Sequence, residues 1–345
     1  MIIARAPLRI SFGGGGTDLA AYYNRYGGMV ISTSINKYVY SVITRNFDPN
    51  FQVISADYQS VINLPSDGRA AGPGELQVPR AIYDYFGKSL PVNVFLASEV
   101  PPGTGLGSSG ATCVNLCMVF GLLSGEHRSA AQVAELAYMI EVERLGASVG
   151  KQDQYASAVG GLNCITFSEA GVQVAPLRLG AASMRRLERR LMLFYTGGTR
   201  RANDILERQR GATERNDPLV IERLHAIKQM AGHMKEALEA DDLDAFAELL
   251  HQSWLAKRAL VPGISNGLID ECYDAALAAG AQGGKIAGAG GGGFLLLYCQ
   301  EAAQPAVRAA LEARSLRQVH FAFEFEGARV LLHTSLSDSP FGGRS

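Results

Sequence analysis

The chain has 345 residues, enough for two domains of ordinary size that each have a hydrophobic core. Hydrophobic residues make up 47% and charged residues 19%, as in a globular protein, and no segment approaches the ~18 uninterrupted apolar residues of a membrane span. The formal net charge is −1 and the arginines are scattered, so the sequence lacks the clustered basic residues that bind nucleic acid or an anionic membrane surface.

The first sixty residues are predicted to form a β-sheet. They enter a strand pattern at once, without the basic stretch, apolar segment and cleavage site of a signal peptide, so we expect a cytoplasmic protein. Apolar and polar residues alternate over 8–12, 28–33 and 38–43, which is typical of strands. Between the first two runs, Asp18 to Tyr26 could form a short helix with Thr17 as its N-cap.

A run of four glycines, 13–16, separates Arg9 from Asp18. An arginine on a strand, a flexible turn and then a carboxylate could place one cation and one hydrogen-bonding acid on a polar substrate. On the residues alone, Arg9 could equally be an ordinary exposed strand residue and Asp18 a helix cap.

The most informative motif lies in the next part of the chain. Pro101-Pro102-Gly103-Thr104-Gly105-Leu106-Gly107-Ser108-Ser109-Gly110 follows a predicted strand, 92–98, and precedes an apolar run, 111–123, that indicates a helix. The helix dipole and the unpaired amides of such a loop favour phosphate. The motif lacks the Gly-Lys-Ser/Thr ending of a Walker loop, and Ser108 replaces the third glycine of a dinucleotide fingerprint. A glycine-rich turn that only caps the helix is the alternative.

Two further acids stand out after this motif. Glu141 lies late on a helix predicted over 130–145, and Asp153 follows a glycine loop and precedes apolar residues. One carboxylate could hold Mg²⁺ while the other meets a substrate hydroxyl. A solvated helix face explains Glu141 and Glu143 nearly as well.

The second half of the chain changes from strand patterns to a helical pattern. Strand patterns over 161–175 and 191–195 give way to a helical pattern over 201–260, with interruptions near 216–218 and 241–242. We therefore expect a boundary near 170–190 and divide the chain into domains 1–180 and 181–345. The mixture of sheet and helix predicts an α+β fold rather than a doubly wound parallel sheet. The tail, 335–345, is expected to fray.

A third glycine run, 283–293, leads into a predicted strand, 294–299, and a helix over 302–313. Gly288, Gly290 and Gly293 fit the letters of the dinucleotide fingerprint, but a strand follows where a helix is needed, which excludes that interpretation. The run instead permits close backbone approach, either to a ligand or to a neighbouring loop.

Taken in this order, the motifs resemble the superfamily of galactokinase, homoserine kinase, mevalonate kinase and phosphomevalonate kinase, the GHMP kinases. Segments 6–18, 101–110 and 285–293 resemble its first, second and third motifs. The resemblance implies a two-domain GHMP kinase fold, with an amino-terminal domain like ribosomal protein S5 domain 2 and a ferredoxin-like carboxy-terminal domain. It implies ATP between the domains and leaves open whether the enzyme is a homo-oligomer.

The resemblance also implies roles for single residues. The catalytic aspartate falls on Asp153 and its cationic partner on Arg9. The resemblance implies that Ser108 or Ser109 binds Mg²⁺ together with Glu141. Galactokinases place this glutamate twelve residues before the catalytic aspartate, and that spacing selects Glu141 over Glu143 in this chain. Mevalonate kinases use a slightly different spacing. The residues expected to contact the ATP phosphates are Pro102, Gly103, Thr104, Gly105, Leu106, Gly107, Ser108, Ser109 and Gly110.

Within the superfamily, segments 12–19, 150–155 and 195–201 are most similar to the D-glycero-α-D-manno-heptose 7-phosphate kinases, which phosphorylate the anomeric O1 of a sugar phosphate. Gly15-Gly16 replaces the Glu-His of galactokinases. The expected substrate contacts are Gly14, Gly15, Gly16, Thr17, Asp18, Lys151, Gly290, Gly291, Arg200 and Arg201.

A substrate that already carries a phosphate needs a second anion site. Arg200, Arg201 and Lys151 are its candidates, unless they are ordinary surface charges. The competing interpretations are another anomeric sugar kinase, such as an L-fucose-type or galactokinase-like enzyme, a catalytically silent sugar or nucleotide sensor, and a diphosphomevalonate decarboxylase on the same scaffold.

Overall fold

The computed structural model describes residues 1–46, 51–57, 59–64, 77–87, 91–197 and 202–334. The predicted contacts Arg200 and Arg201 and the predicted fraying of 335–345 lie outside these residues. Eight described strands form the first sheet: β1 (Ile2–Gly13), β2 (Gly28–Arg45), β3 (Phe51–Ser55), β4 (Ser60–Leu64), β5 (Val92–Ser98), β6 (Leu162–Ser168), β7 (Gly171–Pro176) and β12 (Arg329–His333). Four form the second: β8 (Leu191–Tyr195), β9 (Ala281–Ile286), β10 (Phe294–Cys299) and β11 (Arg317–Gln318).

The described residues also form eleven α-helices. They are α1 (Ala20–Tyr26), α2 (Gln77–Tyr85), α3 (Ser108–Leu123), α4 (Ala130–Met139), α5 (Gln152–Val159), α6 (Ala181–Arg190), α7 (Ala202–Glu214), α8 (Pro218–Glu239), α9 (Leu243–Arg258), α10 (Gly267–Ala278) and α11 (Gln304–Glu312). A π-helical turn, Ile140–Arg144, continues α4. Among the described residues, none of these helices has both the length and the apolar character needed to cross a membrane.

Strand β2 organises the first sheet, whose order is β12-β1-β2-β5-β3-β4. Strand β1 pairs along one side of β2, while the other side pairs first with β6 and then with β5. The two strands predicted over 28–33 and 38–43 are therefore one continuous strand of 18 residues. Because side chains alternate across a strand, the core residues Leu8, Ile10 and Phe12 of β1 leave Arg9 and Ser11 facing the opposite side.

The second sheet confirms the ferredoxin-like prediction. Its antiparallel order is β11-β8-β10-β9, with helices between β8 and β9 and again between β10 and β11. This is the split β-α-β arrangement of ferredoxin-like domains. The last described strand, β12, returns to pair with β1 in the first sheet. The division at 180/181 stays a prediction.

Local chemistry explains where the helical pattern is interrupted. The side chains of Asp217 and Asp242 cap α8 and α9, where breaks were predicted. The prediction for Thr17 is wrong, because α1 begins at Ala20 and the Thr17 hydroxyl instead donates to the Gly14 carbonyl at 2.8 Å. Thr17 therefore holds the first glycine run in place rather than starting a helix.

Candidate active site

Arg9 and Asp153 form an ion pair where β1 meets the first turn of α5. The Nη2 atom of Arg9 lies 2.6 Å from Oδ1 of Asp153, and its Nε donates to the same oxygen at 2.8 Å. The Arg9 side chain is 3% exposed and that of Asp153 is 28% exposed, so the carboxylate borders accessible space while the guanidinium fixes it from behind. A carboxylate held in this way can accept a proton from a hydroxyl.

The second glycine motif forms a loop that ends at the start of α3. Gly103, Gly105 and Gly107 adopt left-handed φ values of 74°, 87° and 78°. Gly107 is the N-cap, and no side chain within the described ranges caps the helix. The first amides of α3 are therefore free at the positive end of the helix dipole, which is a combination that binds phosphate. The Gly105 carbonyl accepts a hydrogen bond from Arg9 Nη1 at 2.5 Å, which ties this loop to the ion pair.

Glu141 is buried beside the first turn of α3. Its Oε1 accepts from the Ser109 hydroxyl at 2.6 Å, and its Oε2 accepts from Nε2 of Gln154 at 2.5 Å. Burial raises the pKa of Glu141 above its ordinary value, and these two hydrogen bonds oppose that effect in part. The π-helical turn buries Glu141 and leaves Glu143 exposed. The structure thus pairs Glu141 with Ser109 rather than with Ser108.

Asp18 joins the first glycine run to the start of α5. Its Oδ1 accepts from the Gly16 amide at 2.8 Å and its Oδ2 from the Gln152 amide at 3.4 Å. Burial raises the pKa of Asp18 above its ordinary value, although the Gly16 amide and the charge of Lys257 act in the opposite direction. The substrate contacts predicted at 14–18 therefore lie directly beside the Arg9–Asp153 pair.

Two buried lysines reach the first glycine motif from the second half of the chain, and neither was predicted. Lys257 of α9 donates to the Gly15 carbonyl at 3.0 Å, and Lys285 of β9 donates to the Ser11 carbonyl at 2.8 Å. Burial lowers the pKa of Lys257 to about 8 and that of Lys285 to about 7, and neighbouring cations add to the effect on Lys285. Lys257 follows Leu250 and Trp254 on the buried face of α9, and this helical spacing was the available signal.

We expect Lys285→Met to raise the free energy of unfolding, and to do so more at about pH 6 than at about pH 9. The pKa of Lys285 falls from an ordinary 10.5 to about 7 in the fold. Between these values the unfolded chain binds more protons, so the destabilisation caused by this lysine is complete below pH 7 and fades as the pH rises. The gain should shrink by on the order of 2–3 kcal/mol between these conditions.

Urea unfolding of both proteins at the two pH values measures this effect. The control is Lys235→Met, because Lys235 is a surface lysine that pairs with Glu239. That variant should show no gain that depends on pH in this way. A gain from Lys285→Met of equal size at both pH values would contradict the prediction.

The third glycine motif packs against the second one. A Cβ on Gly288 would lie 2.6 Å from the Gly105 Cα, and a Cβ on Gly293 would lie 2.2 Å from the Thr104 carbonyl oxygen. Contact with a neighbouring loop therefore accounts for these two glycines. The Gly291 amide donates to the Ile264 carbonyl at 2.8 Å, and a Cβ on Gly290 would also meet that oxygen. Substrate contacts of Gly290 and Gly291 stay predictions.

Lys151 has partners within the protein. Its Nζ lies 2.6 Å from Oε1 of Glu135 and 4.8 Å from the centre of the Tyr138 ring. These contacts do not favour its predicted role as a ligand of a substrate phosphate.

Comparisons with known proteins show which family the chain is similar to. Residues 76–161 match the family described as GHMP kinases N terminal domain, and residues 234–316 match GHMP kinases C terminal. A D-glycero-alpha-D-manno-heptose 7-phosphate kinase of Campylobacter jejuni is 34% identical over 95% of this chain and 98% of its own length. A bifunctional fucokinase/GDP-fucose pyrophosphorylase of Arabidopsis thaliana is 25% identical over 92% of this chain and 31% of its own length. The crystal structure of a D-glycero-D-manno-heptose 1-phosphate kinase from Bacteroides thetaiotaomicron has a TM-score of 0.80 at 28% identity, and the match covers 97% of this chain and 100% of that one.

Proposed function

The chain belongs to the GHMP kinase family, and from that membership we propose that it is an ATP-dependent sugar kinase acting on the anomeric O1 of D-glycero-α-D-manno-heptose 7-phosphate. The product would be the 1,7-bisphosphate, used for GDP-heptose and surface polysaccharide. The observation that carries the kinase proposal is the Arg9–Asp153 pair beside the free amides of α3, because it sets a proton acceptor next to a phosphate site. The similarity to the Campylobacter jejuni enzyme supports the heptose phosphate as substrate.

The proposed step is an in-line transfer. The sugar O1 forms a bond to the γ-phosphorus as the bond from that phosphorus to the β,γ-bridging oxygen breaks, and the hydroxyl proton passes to Asp153. Arg9 orients Asp153 and stabilises charge near the γ-phosphoryl group. The amides of 103–109 hold the phosphates. Positioning and electrostatic stabilisation supply most of the acceleration in such reactions.

Ser109 and Glu141 are the residues that would hold Mg²⁺. Kinases hold this ion with one or two carboxylates together with substrate phosphates and waters, and a hydroxyl and a carboxylate meet here at 2.6 Å. The buried Glu141 carboxylate has a raised pKa, so a cation beside it would offset the cost of burying its charge. When bound, Mg²⁺ would neutralise charge that develops on the phosphates.

The substrate is tested by coupled assays of ATP turnover with heptose 7-phosphate, heptose 1-phosphate, free heptose, L-fucose and galactose, followed by phosphorus NMR of the product. We expect the highest kcat/KM with heptose 7-phosphate and a new phosphate ester on the anomeric carbon. Phosphorylation of another oxygen would overturn the assignment of O1. Equal kcat/KM for free heptose would overturn the need for a second anion site.

An L-fucose-type anomeric kinase is the second candidate. The observation in its favour is that Lys151, a predicted ligand of the 7-phosphate, already pairs with Glu135. Higher kcat/KM with L-fucose than with any heptose phosphate would select it. ATP turnover with any sugar would exclude a catalytically silent sensor.

A further inference from the structure

A small polar cup lies beside Gly15, and three parts of the chain contribute to it. A Cβ built on Gly15 would lie 3.7 Å from the Ser11 Oγ, 3.8 Å from the Gln152 Nε2 and 3.9 Å from the Lys257 Nζ. All three distances are ordinary van der Waals contacts, so there is room for a methyl group at Gly15, and its three nearest neighbours would be polar atoms. We call the group of Ser11, Gln152 and Lys257 the Gly15 cup.

The Gly15 cup adjoins the Arg9–Asp153 pair because β1 and α5 contribute residues to both. Ser11 follows Arg9 by two residues on β1, so both side chains leave the strand on the same side. Gln152 immediately precedes Asp153 at the start of α5. A group bound in the cup is therefore next to a group that reacts at Asp153.

The Gly15 cup contains polar atoms that need a ligand. The Ser11 Oγ and the Gln152 Oε1 are buried and find no hydrogen-bond partner among the described residues. Lys257 donates to the Gly15 carbonyl, which uses one of its three N–H donors. Ser11 and Lys257 are 2% and 6% exposed. Leaving such atoms unpaired costs free energy, so their convergence indicates a binding site rather than packing.

The chemistry of the Gly15 cup favours a hydroxyl over a phosphate. Phosphate oxygens only accept hydrogen bonds, so a phosphate would leave the acceptor capacity of the unpaired Ser11 Oγ and Gln152 Oε1 atoms unused. The Asp18 carboxylate, whose charge acts on Lys257, would repel a phosphate. A hydroxyl can accept from Lys257 or from the Gln152 Nε2 atom that faces Gly15, and it can donate to the Ser11 Oγ. A hydroxyl therefore satisfies a donor and an acceptor of the cup at once.

We infer that the Gly15 cup binds the sugar hydroxyl on the carbon next to the acceptor carbon, with Lys257 as a specificity-determining residue supplied by α9. The inference rests on the proposed function only in taking the acceptor to be a sugar hydroxyl. It adds a residue that reaches the sugar from the second half of the chain. It also explains why a glycine without a left-handed φ stands at position 15, since a side chain would fill the cup.

The test compares the best acceptor sugar with its analogue that lacks this hydroxyl, in the wild-type enzyme and in Lys257→Met. A hydrogen bond to a charged group predicts that loss of the hydroxyl lowers kcat/KM of the wild-type enzyme by roughly 10–100-fold. In Lys257→Met the same loss should change kcat/KM by less than about threefold, because the bond is already absent. The KM for ATP should stay unchanged. An equal penalty in both enzymes would overturn the inference.

Gly15→Ala provides a second variant that does not depend on Lys257→Met folding. Its methyl group fits without a contact shorter than 3.7 Å but occupies the cup, so it should also remove discrimination between the two sugars. Arg258→Met is the matched control, because Arg258 follows Lys257 on α9 but pairs with Asp270. It should keep the full wild-type penalty. If another sugar is the true substrate, the same comparison applies to that sugar, so an error in the proposed substrate and an error about the cup give different results.

Discussion

Asp153→Asn is expected to lower kcat by roughly 10²–10⁴-fold and to leave the KM for ATP within a few-fold, since general-base catalysis contributes about that much. The amide keeps the shape of the carboxylate and can still accept from Arg9, so the ion pair is lost while the geometry is preserved. The ATP phosphates are assigned to the amides of 103–109, which this change does not touch. A loss in kcat without a loss of ATP affinity is the signature of a group that acts on the acceptor.

Steady-state kinetics with nucleotide-binding titrations measure both quantities. The matched control is Asp244→Asn, because Asp244 also lies in the first turn of a helix, α9, and is exposed. It should retain wild-type kcat. Wild-type turnover in Asp153→Asn would rule out the assigned role. Adding Arg9→Met to Asp153→Asn should cost less than the sum of the two single losses, because the orienting role of Arg9 acts through Asp153 while its effect on charge near the γ-phosphoryl group does not.

The meeting of the predicted site residues was foreseen because their motifs resemble those of a known family. Arg9 and Asp153 lie 144 residues apart, and their pairing was predicted from the resemblance to the GHMP kinases, not from the spacing of the motifs. Strands β5, β8 and β10 were predicted with the bounds that the structure has, because each is an apolar run with clear ends. In these cases local pattern and tertiary structure agree.

The lysines and the third glycine motif were harder to predict, because their roles depend on distant partners. Lysine is usually a surface residue, and only the position of Lys257 on the apolar face of α9 indicates that it is buried. Strand β9 contains Gly283 and Gly284, which have low strand propensity, and close packing explains both: a Cβ on Gly283 would lie 2.3 Å from the Ala247 carbonyl oxygen. Sequence periodicity does not predict such contacts between distant residues.

Glu141→Gln is expected to raise the Mg²⁺ concentration for half-maximal activity by roughly 10–100-fold without loss of stability. The exchange removes one of the two oxygens that could bind the ion. It also removes the negative charge of a buried carboxylate, whose pKa is raised by burial. The new amide meets Gln154, whose own Oε1 has no partner among the described residues, so a flip of Gln154 lets it accept from the variant side chain.

Titrations of activity with Mg²⁺, together with urea unfolding, separate the two possible roles of Glu141. Glu143→Gln is the control, because Glu143 lies in the same π-helical turn but is exposed, and its Mg²⁺ requirement should stay at the wild-type value. A residue that only supported the fold would lower the free energy of unfolding when changed and leave the Mg²⁺ requirement alone. A metal ligand would do the reverse, since removing a costly buried charge favours the folded state while it weakens the hold on the ion. An unchanged Mg²⁺ requirement in Glu141→Gln would therefore exclude Glu141 from the metal site, whatever its effect on stability.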